Sequence, residues 1–292
     1  MHDIKIGTLI SAPDVMEVMP KLIPYGFETF SITFWETTKG WDLEQLAKDV
    51  KEILNGTGCT ISSISIFGNP LEDSQKGEEG RQGWERLIDA AELFDTELVT
   101  GFAGRVTDRP APESIPVFKE VFGEYVKRAE QKDVRLAFEN CPMGGDWNHG
   151  DWNIAYSPEL WEMMFEAVPS DRLGLEWEPC HQMCQLIDPI PQLRKWVDKI
   201  FHVHGKDATI AWDVIREKGI CSGEQYVWHR TPGFGDSNWT DIISILRMNG
   251  YQGTIDIEGF HDPVYRGTLE YTGQVRALRY LKECRGGEYV EL

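Results

Sequence analysis

Short apolar runs alternate with amphipathic stretches along the whole chain. The amphipathic stretches repeat their apolar positions at helical spacing, and Leu43 to Leu54, with apolar positions 43, 46, 50, 53 and 54, is the clearest example. The apolar runs are short and are bounded by turn-forming or polar residues, as buried strands are. They predict eight strands, at residues 4–10, 30–35, 59–67, 97–102, 134–139, 172–178, 200–204 and 253–258.

The segments between these strands predict helices. The predicted ranges are 15–23, 43–54, 83–94, 114–131, a helix that begins after Ser157, 193–196, 239–249 and 271–282. Eight strands alternating with helices are the pattern of an α/β protein with the (β/α)8 or TIM barrel fold. No change in composition marks a second domain, so we predict one domain over residues 1–292.

Two connections are longer than an ordinary turn between a strand and a helix. They cover residues 141–156 and 207–239. Loops of this length inside a compact domain usually form the walls or lids of an active site. We therefore expect both to border the functional site.

Four predicted strands end at a side chain that can bind a metal ion: Glu139, Glu178, His204 and Glu258. The active site of a barrel lies at the carboxyl ends of its strands, so these side chains should converge. Three carboxylates together would repel one another by several kcal/mol at low effective dielectric unless a cation or protons compensate them. We predict one divalent metal, with Mn²⁺ favoured and Mg²⁺, Co²⁺ or Zn²⁺ as alternatives. In the competing interpretation, each group is a separately satisfied polar residue at the barrel rim.

A second set of polar residues lies one step below the first. Strand parity places Glu176, His202 and Asp256 on the inward faces of their strands. They would orient the metal ligands, although a buried polar network without a tuning role fits the pattern equally well. Cys180 faces away in a regular strand, which favours packing. A zinc site at Cys180 and Cys184 is disfavoured because the sequence shows no second ligand pair at a zinc-like spacing.

These same stretches resemble a known family. The chain resembles the sugar phosphate isomerase/epimerase family of xylose isomerase-like TIM barrels, which includes ketose 3-epimerases, inosose dehydratase and relatives of endonuclease IV. The matching segments are 138–140, 178–181, 202–207, 257–258 and the turn 232–236 with Trp239.

The resemblance implies the same four metal ligands, together with a histidine at the position of His181. One residue departs from the family pattern, because Glu178 stands where the family has aspartate. The additional methylene moves the carboxylate by about 1.5 Å, the length of one C–C bond.

The resemblance also implies a metal-dependent sugar isomerase or epimerase. The metal would chelate a carbonyl and its neighbouring hydroxyl, acidify the C–H between them and stabilise an enediolate. Glu139 and Glu258 would remove and return the proton. His181 would hydrogen-bond a substrate oxygen, and Lys206 would neutralise a developing alkoxide.

Several further residues are candidates for a sugar pocket. Arg230 comes from the long connection, Trp35 ends the second strand, Asn69 follows the third, and Trp147 and Trp152 lie in the connection after the fifth. Tryptophan suits stacking on sugar C–H faces, although it occurs more often in cores and interfaces. The loop after the eighth strand lacks a glycine-rich phosphate cup, so we expect a free sugar or a sugar derivative as substrate.

Three other functions compete with this interpretation. The same site could catalyse β-elimination, as a lyase or dehydratase acting on a keto-sugar, an inosose or a 3-keto-glycoside. A phosphodiesterase of the endonuclease IV type is disfavoured, since it needs additional histidines and a basic groove. A non-catalytic sugar-binding subunit is disfavoured because the full acid/base set is present.

The net charge and the cysteines indicate which partners and which cellular location to expect. The net charge is −19, from 29 basic and 48 acidic residues, so we expect no nucleic-acid partner. The six cysteines follow no framework spacing, and the N-terminus has neither a signal-peptide core nor a membrane span. These features predict a cytoplasmic enzyme with a small-molecule carbohydrate substrate. Homo-oligomer formation is an expectation from the resemblance alone.

Overall fold

Eight parallel strands form a closed barrel in the computed structural model, which describes residues 4–287. Their order around the barrel is β1-β10-β7-β6-β5-β4-β3-β2. The barrel strands are β1 (Lys5–Ser11), β2 (Thr29–Trp35), β3 (Thr60–Phe67), β4 (Leu98–Gly101), β5 (Arg135–Glu139), β6 (Leu173–Trp177), β7 (Ile200–Gly205) and β10 (Thr254–Ile257). The predicted (β/α)8 barrel is therefore confirmed.

Helices follow the strands along the chain. They are α1 (Val15–Leu22), α2 (Leu43–Leu54), α3 (Gln75–Ala90), α4 (Ile115–Lys132), α5 (Pro158–Ala167), α6 (Pro179–Cys184), α7 (Pro189–Trp196), α8 (Trp212–Lys218), α9 (Trp239–Met248) and α10 (Glu270–Cys284). The start of α5 is as predicted, with Ser157 accepting a hydrogen bond from the Leu160 amide and a proline in the first turn. Between residues 4 and 287, no helix is both long enough and apolar enough to cross a membrane.

The contacts of the chain define two compact units. The first unit contains residues 9–177 and 199–202, and the second contains the described residues of 1–8, 178–198 and 203–292. In the first unit, the aromatic rings of Trp84, Phe122 and Phe138 pack edge to face beneath α3 and α4. In the second unit, the Arg285 guanidinium donates to the Ile4 carbonyl at 2.8 Å, which ties the end of α10 to the start of β1.

The predicted helix 83–94 has wrong boundaries. Helix α3 begins at Gln75, where Ser74 caps the amide of Gly77, and it ends at Ala90 before a 3-10 turn over residues 91–94. Three glycines among its first nine residues hide the helical pattern, because glycine lowers helix propensity. Gly77 is required by close packing, since an added Cβ would lie 1.9 Å from the Glu72 carbonyl oxygen.

The connection 207–239 is not an irregular loop. It contains the antiparallel hairpin of β8 (Asp207–Ile210) and β9 (Val227–Arg230), with helix α8 between the two strands. Asp207 holds this segment together, because its Oδ1 accepts from the amides of Ala208 and Ser237 at 2.8 and 3.0 Å. Its Oδ2 accepts from Trp239 Nε1 at 3.2 Å. Asp207 therefore joins the start of the hairpin to the segment that leads into α9.

Candidate metal centre and active site

The four predicted metal ligands occupy the carboxyl ends of their strands. Glu139 is the last residue of β5, Glu178 follows β6, His204 lies near the end of β7, and Glu258 follows β10. All four are buried, with relative exposures of 0–7%. The ligand atoms of Glu178, His204 and Glu258, which all belong to the second unit, lie within 4.8 Å of one another. The assignment of all four residues as metal ligands stays a prediction.

The donor chemistry of this group fits a divalent cation. Glu258 Oε2 lies 3.3 Å from His204 Nδ1, and Glu258 Oε1 accepts a hydrogen bond of 2.6 Å from the Lys206 ammonium. When the His204 imidazole is neutral, the three carboxylates and the Lys206 ammonium have a net charge of −2. Buried charges of one sign are costly without compensation. A divalent ion supplies the missing charge, and oxygen and nitrogen donors suit Mn²⁺.

Lys206 and His204 also determine the ionisation of Glu258. Burial raises the pKa of the Glu258 carboxyl, but the charges and hydrogen bonds of Lys206 and His204 outweigh it and hold that pKa well below its usual range. Lys206 itself is almost fully buried. In this structure the ammonium is directed at Glu258, which positions it beside the carboxylate that we predicted as an acid/base group.

His181 contacts a metal ligand. Its Nε2 lies 2.5 Å from Glu178 Oε1, and both side chains are buried. Burial lowers the pKa of His181 to about 4, so the ring is neutral at physiological pH. The sequence predicted a bond from His181 to a substrate oxygen, whereas the structure directs this nitrogen at the carboxylate.

The three residues predicted below the metal ligands are all buried. His202 Nδ1 lies 2.7 Å from Glu176 Oε1, which orients both side chains. Asp256 is paired with His204 in the register between β10 and β7, and its Oδ2 accepts a long bond of 3.4 Å from Thr254.

Asn153 is a positioning residue that the sequence did not single out. Its amide Nδ2 donates to the carbonyls of Glu139 and Cys141 at 2.8 and 2.9 Å, and its Oδ1 accepts from the Ala103 and Ala155 amides. The side chain is completely buried. It therefore joins the end of β5 to the connection after it, and this orients the backbone that carries Glu139.

The predicted sugar-pocket residues described in the first unit are two tryptophans, Trp35 and Trp152, and the amide Asn69. Trp35 is exposed, and its ring lies 5.5 Å from that of Trp152. Trp152 and Asn69 line a cavity of about 320 Å³. The Asn69 amide, however, donates to the Arg105 and Asp151 carbonyls and accepts from the Leu71 and Arg105 amides. A bond from Asn69 to a substrate would require one of these to break, whereas the tryptophan rings are accessible.

Arg230 is anchored within the second unit. Its Nε lies 3.3 Å from Asp262 Oδ2, and Asp262 also accepts backbone bonds from Thr231, Val264 and Tyr265. These bonds lower the pKa of the Asp262 carboxyl although burial raises it. The guanidinium lies 6.0 Å from the centroid of the Phe234 ring. Its predicted contact with substrate remains a prediction.

The structure also assembles a set of side chains that the sequence did not reveal. Cys180, His181, Cys184 and His229 each offer a ligand atom within 4.8 Å of the others. The sequence shows no second ligand pair at a zinc-like spacing from Cys180 and Cys184, whereas the structure brings His181 and His229 beside them. The spacing of the cysteines was visible, since residues four apart share a helix face, but His229 comes from a distant hairpin.

A family model for the xylose isomerase-like TIM barrel matches residues 22–284. The chain belongs to this family. The inosose dehydratase of Clostridium beijerinckii is 34% identical over 227 residues, which cover 77% of this chain and 75% of that protein. The resemblance recognised from the four strand ends is therefore confirmed.

Solved structures share the fold. A xylose isomerase domain protein from Planctomyces limnophilus has a TM-score of 0.74 at 17% identity, covering 97% of this chain and 98% of that one. The 3-keto-D-glucoside 4-epimerase of E. coli has a TM-score of 0.69 at 17% identity, covering 97% and 100%. The chain thus belongs to an enzyme family whose similar proteins include both epimerases and dehydratases.

Proposed function

We propose that this protein is a metal-dependent isomerase or epimerase of a free sugar or sugar derivative. The observation that carries the proposal is the grouping of Glu178, His204 and Glu258 within the second unit, together with the burial of Glu139 at the end of β5. Its excess negative charge calls for a divalent cation, and its carboxylates provide acid/base groups. The family membership makes a carbohydrate the expected small-molecule substrate.

The four residues of this group would hold the metal, and Mn²⁺ is our proposed ion. When bound, the cation would polarise a substrate carbonyl and so acidify the adjacent C–H. Glu139 and Glu258 act as the acid/base pair, one removing the proton and the other returning it.

Lys206 and His181 each contact one carboxylate of the proposed site. The ammonium of Lys206 orients Glu258 through the 2.6 Å bond, and it can neutralise negative charge that develops on a substrate oxygen. His181 orients Glu178 through the 2.5 Å contact. A bond from His181 to the substrate remains a prediction. Both residues therefore adjust the carboxylates on which the chemistry depends.

Elimination is the second candidate function. The dehydratase relative is 34% identical to this chain, and β-elimination begins with the same removal of a proton beside a carbonyl. The two reactions then differ in the bond that breaks. A leaving group on the neighbouring carbon departs in elimination, while isomerisation and epimerisation retain every substituent of the substrate.

The experiment that distinguishes them is product analysis by NMR in D₂O. Protein loaded with Mn²⁺ is incubated with free ketoses, 3-keto-glycosides and an inosose. Deuterium at the carbon beside the carbonyl, with all hydroxyl groups retained, supports an isomerase or epimerase. An unsaturated ketone or a released aglycone supports the lyase. The absence of both products and of exchange across this panel would contradict the proposal.

A further inference from the structure

Two cysteines and two histidines form a compact group within the second unit. We name Cys180, His181, Cys184 and His229 the thiol–imidazole cluster. Their ligand atoms lie within 4.8 Å of one another. Cys180 and His181 are buried, while Cys184 and His229 are half-buried. The set is distinct in chemistry from the oxygen-rich group of carboxylates.

Two rigid elements build the cluster. Helix α6 places Cys180 and Cys184 one turn apart on the same face. His229 lies on β9, opposite Ala208 of β8. Ala208 packs in one apolar cluster with Cys180, and Cys184 and Val227 pack against it. The face of the hairpin that carries Val227 therefore lies on α6, and His229 shares that face by strand parity.

Two sulfur and two imidazole donors are the ligand set of a tetrahedral zinc site. With Zn–S near 2.3 Å and Zn–N near 2.0–2.1 Å, the four ligand atoms stand roughly 3.3–3.8 Å apart. Closing the cluster onto an ion thus needs side-chain movements of about 1 Å, which the half-buried Cys184 and His229 can make. His229 Nδ1 is buried and has no hydrogen bond within the described chain.

We propose that the thiol–imidazole cluster binds a zinc-class divalent cation, separately from the carboxylate site. Binding would release the thiol protons to solvent. His181 would connect the two sites, because its Nε2 contacts Glu178 and the residue also offers a ring nitrogen to the cluster. A carboxylate that accepts from a metal-bound imidazole is a common arrangement. The second ion would then fix the orientation of Glu178.

Cobalt substitution tests this proposal without an activity assay. The full-length protein is reduced, stripped of metal and titrated with Co²⁺. We expect a thiolate-to-cobalt charge-transfer band and the intense visible bands of tetrahedral cobalt. The carboxylate site has no thiolate and cannot produce the charge-transfer band. Equimolar Zn²⁺ should remove the band, whereas Mg²⁺ should leave it, since thiolates prefer zinc.

Variants assign the band to the cluster. Cys184→Ser should lower its intensity to about half, in proportion to the remaining thiolate, and Cys180→Ser with Cys184→Ser should abolish it. Cys59→Ser and Cys221→Ser are matched controls outside the cluster and should leave the band unchanged. Glu258→Gln should also retain it, so failure of the proposed sugar reaction would not affect this result.

Two results of the cobalt titration would overturn the proposal. One is the absence of a charge-transfer band in the reduced wild-type protein, which requires no variant to fold. The other is a band that persists in the double cysteine variant. A disulfide between Cys180 and Cys184 that resists reduction, seen as a loss of two mass units, would also exclude the site.

Discussion

At the residue scale, the site depends on a few buried carboxylates and on the side chains that contact them. Glu258 bonds Lys206 on one oxygen and lies near His204 on the other. Glu178 is contacted by the neutral ring of His181. Because each of these two carboxylates has a partner on one side, its orientation is defined before any ligand arrives. Preorganised groups of this kind lose little free energy on reorganisation during a reaction.

The acid/base assignment predicts the effect of removing either carboxylate. Glu139→Gln and Glu258→Gln keep the side-chain shape but cannot accept a proton, so each should slow deuterium exchange beside the substrate carbonyl by about 10²–10⁴-fold. NMR in D₂O measures this rate directly. The exposed Glu159→Gln on α5 is the matched control and should exchange like the wild type. Exchange at the wild-type rate in both site variants would refute the assignment.

At the element scale, the hairpin of β8 and β9 brings part of the long connection 207–239 beside helix α6. It places His229 against α6, and its geometry depends on the three hydrogen bonds that Asp207 accepts. Burial raises the pKa of Asp207, while its hydrogen bonds from Ser237 and Ala208 oppose that shift. The desolvation cost of burying this carboxylate is therefore offset by the hydrogen bonds that it accepts.

Asp207→Asn tests this role of the carboxylate. An amide presents one oxygen and one NH₂ group, so at least one backbone or indole donor loses its acceptor. The expected cost is about 1–3 kcal/mol in the free energy of unfolding. Urea titration followed by circular dichroism measures it, and the exposed Asp213→Asn on α8 is the matched control. Equal unfolding free energies for the two variants would contradict the proposed role.

Two glycines, one in α3 and one in α4, should respond in opposite ways to substitution by alanine. Gly77→Ala should destabilise the protein, because its Cβ would lie 1.9 Å from the Glu72 carbonyl oxygen, whereas the space around Gly123 is open. Gly123→Ala should instead stabilise α4 by about 0.5–1 kcal/mol through higher helix propensity. Thermal unfolding of both variants provides the comparison. A stabilising Gly77→Ala would show that the start of α3 is not closely packed.

At the scale of the whole molecule, charge links stability to bound cations. The chain carries a net charge of −19, and part of its negative charge is buried among the strand ends. A negative surface attracts divalent cations. A cation that binds only the folded state stabilises it by mass action. The expected homo-oligomer and the single domain over residues 1–292 remain predictions.

The melting temperature should therefore depend on Mn²⁺. At a free concentration of 100 times Kd, binding contributes about 2.7 kcal/mol, which corresponds to an increase of roughly 5–10 °C in Tm. Differential scanning fluorimetry of metal-free protein with added Mn²⁺ measures the increase. Glu178→Gln should remove it, and Cys184→Ser, outside the oxygen-rich group, should retain most of it. An unchanged wild-type Tm at saturating Mn²⁺ would contradict the metal site.

Local patterns in the sequence are sufficient to predict the barrel and its main set of charged residues. Strand parity and helical spacing are local patterns, and they report which face of each element is buried. Because all barrel strands run parallel, the residues that end them meet at one end of the barrel. This is why Glu139, Glu178, His204 and Glu258 could be grouped before any coordinates were known.

Contacts between distant segments, in contrast, depend on how the chain folds in three dimensions. The approach of His229 to Cys180 depends on how the hairpin folds back on α6, and no local pattern encodes that path. The saturated amide of Asn69 and the direction of the His181 ring are likewise results of packing. Local periodicity determines burial, whereas the partner of a polar side chain depends on which loops close beside it.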